Sequence, residues 1–470
     1  MAEVQPKVVI VGGGLSGLAT AFELQSRLQH ADIQVLESSQ QLGGMLKTIK
    51  KQGYLVELGP LSFPGNSLGI MKLCHQLKLT DQLIAANPMA SRRYIVHDNA
   101  LQPIPNTLSQ ALTSPLYGMG SAYRLVTERF RSSHAAKDKL DESVYQFIER
   151  RVGTELADIL ADALTTERFG SDGKVISIRS GFAELTRAER EYGSVISGWG
   201  KLKESERQAA AKAGIKLCTM QQTFAEGMGT LINTLQDRLK QPAICGVGVT
   251  SIKPAAEGME YRWRIECSDG ETRYADVVVL SCSISKQAAM LADLDHELSD
   301  LMMQIPLAGI ITLSLGFHRQ HVPEIVESQG IIVPQKLNKD ILKLDFVSSL
   351  FPDRAPKGKV LLQLTMGGSA RKEMLSWEDD TIILAARREL RNMLRMTKPP
   401  QFCHLKKWPR VLPQYLLGHH ARIGKITERA KRYDGLYLAG NAYHGITLSE
   451  TVSHAERIAR TIRDIVRTQR

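Results

Sequence analysis

Three glycines near the start of the chain, Gly12, Gly14 and Gly17, follow the spacing G-x-G-x-x-G, and a carboxylate, Glu37, stands 20 residues after the last of them. Each position has a physical use. Gly12 permits a tight turn, Gly14 lets backbone approach a pyrophosphate, and Gly17 lets a helix pack closely on a strand. Gly13, Leu15 and Ser16 between them would offer free N–H groups at a helix start, where the dipole favours phosphate. Glu37, with Ser38 beside it, can accept hydrogen bonds from an adenosine ribose and would repel a 2′-phosphate. This spacing alone does not choose between NAD and FAD. The next segment does, because Leu42-Gly43-Gly44-Met45 supplies a second glycine turn soon after the carboxylate, which is typical of FAD enzymes.

The elements that hold these residues are legible in the same stretch. Lys7 to Val11 is a β-branched run, the pattern of a buried parallel strand. Leu15 to Leu28 carries apolar residues at Leu18, Phe22, Leu24 and Leu28, which predicts a helix, and Ile33 to Leu36 predicts a strand ending at Glu37. Strand, glycine turn, helix and strand make a βαβ unit. From Ser109 to about Lys216 the pattern is mainly helical. Its final part, Lys201 to Lys216, is charged and Ala-rich and is expected as an exposed helix or a loose linker. Ala243 to Lys253, Glu260 to Cys267 and Asp276 to Ser281 predict strands, and Ile310 to Phe317 and Val360 to Met366 predict strands of a second sheet. Trp377 to Leu394 predicts an amphipathic helix closed by Lys398-Pro399-Pro400. The chain ends on strand, glycine and helix at Leu436 to Ala439, Gly440, and Leu448 to Val466.

The expected fold class is therefore α/β, a discontinuous Rossmann-like FAD-binding domain with an inserted α+β substrate domain and a mainly helical subdomain. FAD-binding segments are expected at 1–90, 217–300 and 410–470, substrate-domain segments at 91–108 and 301–409, and the helical subdomain at 109–216.

Composition narrows the class. Of 470 residues, 43% are hydrophobic and 23% charged, which excludes a disordered or fibrous chain. Lys and Arg outnumber Asp and Glu by 60 to 49, an excess that attracts an anionic partner or merely solvates the surface. The six cysteines form no C-x-x-C pair and have no His at zinc spacing, so neither a disulfide framework nor a metal site is expected. Reduced thiols, no secretory leader and no apolar run of spanning length imply a cytoplasmic protein, at most peripheral to a membrane.

Five stretches carry a resemblance to a known family. They are the N-terminal loop through Gly44, then GYLVELGPLSF (Gly53 to Phe63), FAELTRAEREYGSVISG (Phe182 to Gly198), WPRVLPQYLLGH (Trp408 to His419) and GLYLAGNAYHGITL (Gly435 to Leu448). Together they run from end to end, and the sequence resembles the FAD-dependent porphyrinogen oxidases, which include protoporphyrinogen and coproporphyrinogen oxidases. The resemblance implies that Gly12 to Gly17 hold the pyrophosphate of FAD and that Glu37 holds its ribose. It implies that Gly59, Pro60, Leu61 and Ser62 lie along the flavin and that Val249 meets the adenine through its backbone. Trp408, with Gly440, Asn441, Ile446, Thr447 and Leu448, would close over the ring. A helix from Leu448 would turn its positive end toward the pyrimidine side. Trp408 and Val249 could instead be simple core residues.

The implied activity is a six-electron oxidation of a porphyrinogen, in which the flavin takes hydride and dioxygen reoxidises it to give hydrogen peroxide. No Ser/His/Asp triad or paired carboxylate is expected, and His419, His420 and His444 read as structural residues rather than a relay. The family's arginine before an aromatic falls on Arg93, which either pairs with a substrate propionate or is a solvated surface residue. Pro64-Gly65-Asn66-Ser67 stands where relatives often carry a basic residue, and Thr165 to Phe169 replaces a stretch of small and aromatic residues. The positive charge leans toward the tetracarboxylate coproporphyrinogen over the dicarboxylate protoporphyrinogen. A flavin amine oxidase or a carotenoid-type desaturase on the same fold is the alternative. The implied partners are a tetrapyrrole and dioxygen, without nucleic acid. Transient contact with a downstream haem-pathway enzyme or a membrane surface is left open.

Overall fold

The structure, a computed structural model, describes residues 5–131 and 141–468, so residues 132–140 of the expected helical subdomain lie outside it. The run KVVIV forms β1 (Lys7–Val11), buried from Val8 onward, and α1 (Leu15–Arg27) and β2 (Asp32–Glu37) follow it. A five-stranded sheet then gathers strands from three separated parts of the chain. Its order is Ile244–Cys245, β2, β1, Val277–Leu280 and Leu436–Leu438, and every pairing is parallel. Burial of both faces explains why these strands read as continuous apolar runs. One face packs Val8, Ile10 and Val279 against α1 and the C-terminal helix Leu448–Thr468. The other packs Val9, Val11 and Leu280 against a three-stranded antiparallel sheet and the helix His419–Ala430.

Between its returns to this sheet the chain builds two further bodies. A seven-stranded sheet runs in the order Phe402–Pro413, Leu307–His318, Lys359–Gly367, Ile341–Asp345, Gly330–Ile332, Arg93–His97 and Ala100–Pro103. Its pairings are antiparallel except that between Gly330–Ile332 and Arg93–His97. Helices from Val144–Val152 to Val195–Lys212 form the helical subdomain, around a core that includes Phe147, Leu156 and Phe169. The fold class is thus the expected α/β arrangement with its inserted α+β and helical parts.

Several elements differ from the sequence pattern. Ala243 to Lys253 is not one strand. Gly246, at φ +79°, breaks it, so that Ile244–Cys245 joins the parallel sheet and Val249–Pro254 joins the antiparallel one. Of the two readings of Lys201 to Lys216, the exposed helix holds as far as Lys212, as the end of a helix that starts at Val195, with Leu202 and Ala210 buried. Gly198 lets that helix press on Ala188, where a β-carbon would come within 2.6 Å of the carbonyl oxygen. The expected helix from Trp377 begins at Asp379 instead. The strand Phe402–Pro413 continues past residue 409, and the helix His296–Met303 runs through residue 300.

The strand Tyr54–Glu57 leads into the loop Gly59 to Ser62 and is fixed at its end by a carboxylate. Glu57 is 2% exposed and accepts hydrogen bonds from Thr48 Oγ1 at 2.7 Å and the Met228 N–H at 2.9 Å. Desolvation outweighs these bonds and the nearby charge of Arg354, raising its pKa from 4.5 to about 7. The folded chain therefore holds this proton more tightly than the unfolded chain does. The associated stabilisation is fully present below about pH 4.5 and is lost as pH rises through about 7. Glu57→Gln cannot titrate, so its stability relative to wild type should improve by roughly 2 to 3 kcal/mol between pH 5 and pH 8. Urea unfolding at both pH values measures this, and a difference that does not change with pH would show that the carboxyl stays ionised.

Candidate functional site

β1 ends at Val11, and Gly12 turns the chain at φ +114° while its N–H donates to the Leu36 carbonyl at 2.8 Å. A β-carbon at Gly13 would collide with Leu42, and one at Gly17 would overlap the Gly12 carbonyl oxygen. A β-carbon at Gly14 would meet no protein atom within 4 Å. The second glycine turn closes on the first, since the Gly43 N–H donates to the Gly13 carbonyl at 2.8 Å and Gly14 bridges Gly43. α1 starts at Leu15 without a side-chain cap or an acidic residue in its first turn. Ser16 Oγ is buried there with no hydrogen-bond partner among the described residues. Uncapped N–H groups, an unpartnered hydroxyl and an open Cα form a cradle of donors whose chemistry fits a pyrophosphate.

Glu37 closes the end of β2. Its Oε2 accepts the Gly13 N–H at 2.8 Å, and its Oε1 accepts the Ser39 N–H and Ser39 Oγ, both at 2.8 Å, with Ser38 Oγ at 3.4 Å. Oε1 is crowded, whereas Oε2 retains a lone pair for a ribose hydroxyl. The segment 246–249 lies alongside, with the Gly246 N–H on Ser39 O at 2.9 Å and the Val247 N–H on Glu37 O at 3.0 Å. Val249 is thereby held near the carboxylate, buried and paired with Cys267.

A cleft of about 910 Å³ opens between the seven-stranded sheet, the helical subdomain and the start of the C-terminal helix. It brings together Met45, Gly59, Pro60, Leu61 and Ser62 with Ile446, Thr447 and Leu448, residues separated by nearly the whole chain. The Gly59 backbone lies so close to Met45 O that a β-carbon would overlap it. Thr312, Gln363 and Thr365 face them from the seven-stranded sheet. Trp408 is not part of this lining. Its indole N–H donates to Leu58 O at 2.7 Å, so it braces the Gly59 loop from outside the cleft.

The two most family-specific stretches meet through one phenol. Tyr415 OH donates to Asn441 O at 2.5 Å and accepts the Gly445 N–H at 3.1 Å. Gly440 turns at φ +111° and Asn441 Nδ2 donates to Val411 O at 3.2 Å. Thr447 and Glu450 cap the following helix reciprocally, so the expected positive end also carries a carboxylate. His419 stacks on Tyr415 with ring centroids 4.1 Å apart. Burial, with Arg422 nearby, lowers its pKa to about 3, so it is a neutral packed imidazole.

Arg93 reaches the cleft from the seven-stranded sheet, while Arg92 is exposed. Its charge is already matched by Glu167 at 2.5 Å and Asp345 at 3.8 Å. Sequence reasoning placed Arg93 but missed these carboxylates, which arrive from 74 and 252 positions away. It also passed over Arg168, Lys203, Lys343 and Arg457, which line the cleft without any local motif to mark them. Tyr443, in the stretch where amine oxidases place a caging aromatic, turns into the core and donates to Gln287 Oε1 at 2.6 Å.

Gly14→Val gives a direct check of the cradle. The backbone there, at φ −78°, suits any residue, so the variant should fold with an unchanged far-ultraviolet spectrum and emerge colourless from purification. Full flavin occupancy in the variant would place the phosphates elsewhere.

The flavin containing amine oxidoreductase family matches residues 15–463. Coproporphyrinogen III oxidase of Bacillus subtilis is 25% identical over 97% of this chain and 97% of its own length. A chloroplastic protoporphyrinogen oxidase of Oryza sativa is 27% identical over 98% of this chain and 89% of its own. Among solved structures, a protein from Exiguobacterium sp. 255-15 superposes with a TM-score of 0.80 at 20% identity, covering 98% of this chain and 99% of that one. Cyclohexylamine oxidase from Brevibacterium oxydans superposes with a TM-score of 0.67 at 13% identity, covering 99% and 100%. An uncapped glycine cradle, a braced ribose carboxylate and a family match across nearly the whole chain lead to one conclusion: the protein is an FAD-dependent oxidoreductase that belongs to the flavin containing amine oxidoreductase family.

Proposed function

We propose that the protein is an oxygen-using porphyrinogen oxidase of haem biosynthesis, converting coproporphyrinogen III, or protoporphyrinogen IX, to the porphyrin. The observation that carries this reading is the end-to-end likeness to relatives named for these two activities, each covering 97% or more of the chain. Gly12 to Gly17, Glu37, Ser38, Gly43 to Met45, Gly59 to Ser62, Val249, Trp408, Gly440, Asn441 and Ile446 to Leu448 would hold FAD. Bound there, FAD would supply hydride acceptance from the bridge carbons in three rounds, each with loss of one proton from the macrocycle, and pass each electron pair to dioxygen. The chain's task is then position and exclusion. Gly59 to Ser62 and Ile446 to Leu448 form one wall of the cleft, and Thr312, Gln363 and Thr365 form the other. A porphyrinogen between them would be held with one bridge carbon against the first wall, where orientation lowers the entropic barrier.

The cleft supports this substrate over the alternatives. Tyr443 is engaged in the core, which leaves that stretch without the aromatic pair an amine oxidase uses. A lining of six lysines and arginines with several carboxylates is a poor match for an apolar polyene. The test is anaerobic mixing of the purified holoprotein with coproporphyrinogen III, protoporphyrinogen IX or a primary amine. Porphyrinogens should bleach the flavin absorbance, coproporphyrinogen faster, with peroxide forming once oxygen is admitted. Bleaching by the amine alone would replace this reading with amine oxidation.

No helix among the described residues is long and apolar enough to cross a membrane. A cytoplasmic protein with a peripheral contact is our reading. Met119, Tyr123, Val126 and Phe130 recur at helical spacing and are exposed, Met119 at 91% and Phe130 at 74%, with the exposed Arg124 and Arg129 beside them. Such a row suits insertion into an anionic lipid surface. Sedimentation with phosphatidylglycerol vesicles should carry the wild type down and a Met119→Ser, Phe130→Ser double variant much less. Equal sedimentation of both would remove this face from any membrane contact.

A further inference from the structure

Six cations line the cleft just described, and five are already paired with carboxylates. Lys72 pairs with Glu456, Arg93 with Glu167, Arg168 with Glu450, Lys203 with Glu184 and Glu206, and Lys343 with Asp345. Arg457 has no carboxylate within 4 Å among the described residues. More than a third of the residue is open to solvent, yet enough protein surrounds it that desolvation lowers its pKa despite Glu456 nearby. A paired arginine offers an incoming anion little, because the carboxylate already beside it repels the newcomer.

Arg457 also occupies a distinct place. A second, open cleft of about 1320 Å³ lies between the helical subdomain and the helix His419–Ala430. The two clefts share three lining residues, His444, Glu450 and Arg457. Three more cations of the second cleft, Arg179, Arg190 and Lys431, have no ion pair within 4 Å among the described residues. Unpaired positive charge is therefore concentrated at the junction and beyond it, and is scarce in the cleft's interior.

We propose a carboxylate subsite at this junction, in which Arg457 binds a propionate of the substrate and directs the pyrrole that carries it toward the second cleft. The proposal rests on the porphyrinogen reading and specifies how that substrate is oriented. Arg457 lies nine residues into a helix whose first residue, Leu448, lines the inner wall, a rise of about 13 Å. The span accommodates a macrocycle with its reacting bridge near Leu448 and one propionate near the guanidinium. Arg93, held by its two carboxylates, then shapes the wall and does not receive the anion.

The geometry sets the kinetic signature. A propionate bound so far from the reacting carbon gains nothing extra in the transition state, so the contact affects binding and not the chemical step. For the holoenzyme with coproporphyrinogen III, Arg457→Gln should raise KM about tenfold with kcat within about twofold. Arg457→Lys should fall between, because it keeps the charge and loses the fork. Added salt should raise the wild-type KM and affect Arg457→Gln less. A porphyrinogen with esterified propionates should show the same KM in both proteins. Arg463→Gln, on the same helix but outside both clefts, controls for helix damage and should match wild type. An unchanged KM in Arg457→Gln, or a loss confined to kcat, overturns the subsite while leaving the porphyrinogen oxidase reading in place. If wild type oxidises no porphyrinogen, that reading falls and the subsite is judged by fluorescence titration with coproporphyrin III. Roughly tenfold weaker binding to Arg457→Gln would sustain it, and equal binding would end it.

Discussion

No β-carbon fits between α1 and the turn before it, and the cofactor side of the molecule is arranged around that prohibition. Gly17 lies against the Gly12 carbonyl, and Ser281 fastens the turn by donating to the Val11 and Gly12 carbonyls at 3.1 and 2.9 Å. With the helix start pressed onto the strand, its free N–H groups all open toward one place. The same turn holds the Gly13 N–H on Glu37, so the helix start and the carboxylate are positioned by one piece of backbone. A larger residue at either contact would move both together.

The far side of the cleft depends on a second local lock. Burial keeps the Tyr415 phenol protonated, its pKa pushed well above the usual tyrosine value, so it remains a donor. Its bonds to Asn441 and Gly445 tie the end of the seven-stranded sheet to the last glycine turn. Two motifs adjacent only in space are therefore one structural unit, which explains why both stand out in the sequence. Gln414, beside it, donates to Phe169 O at 2.9 Å and extends the same unit into the helical subdomain.

The parts legible from sequence are those whose physics is local. β1, the glycine turn, α1 and Glu37 form one short segment, and periodicity with glycine spacing specifies it. The break at Gly246 was missed because the apolar and β-branched residues on either side of it read as one run, although Gly246 and Gly248 carried a turn signal. Trp408 was expected over the flavin from the resemblance, and its hydrogen bond to Leu58 O, 350 positions away, could not be read from the motif. Arg93 was singled out by the resemblance, and it lines the cleft. The partners that neutralise it come from a distant helix and strand, which no window of sequence brings together. The charge pattern of the cleft is likewise a tertiary property, since pairing and not composition decides which cation is available.

The strand order of the parallel sheet has a consequence for how the protein is made. Its last strand, Leu436–Leu438, pairs beside Val277–Leu280 and arrives after more than nine-tenths of the chain. Closing such distant pairings is slow and costs loop entropy. A nascent chain that has finished β1, α1 and β2 already displays the glycine cradle, yet lacks the helix that packs on α1 and the turn that faces the flavin. Until residue 438 emerges, Val277–Leu280 offers an unpaired parallel edge to any neighbouring strand. The open edge is therefore covered when those three residues pair, and the cofactor side is completed only when the helix Leu448–Thr468 follows them.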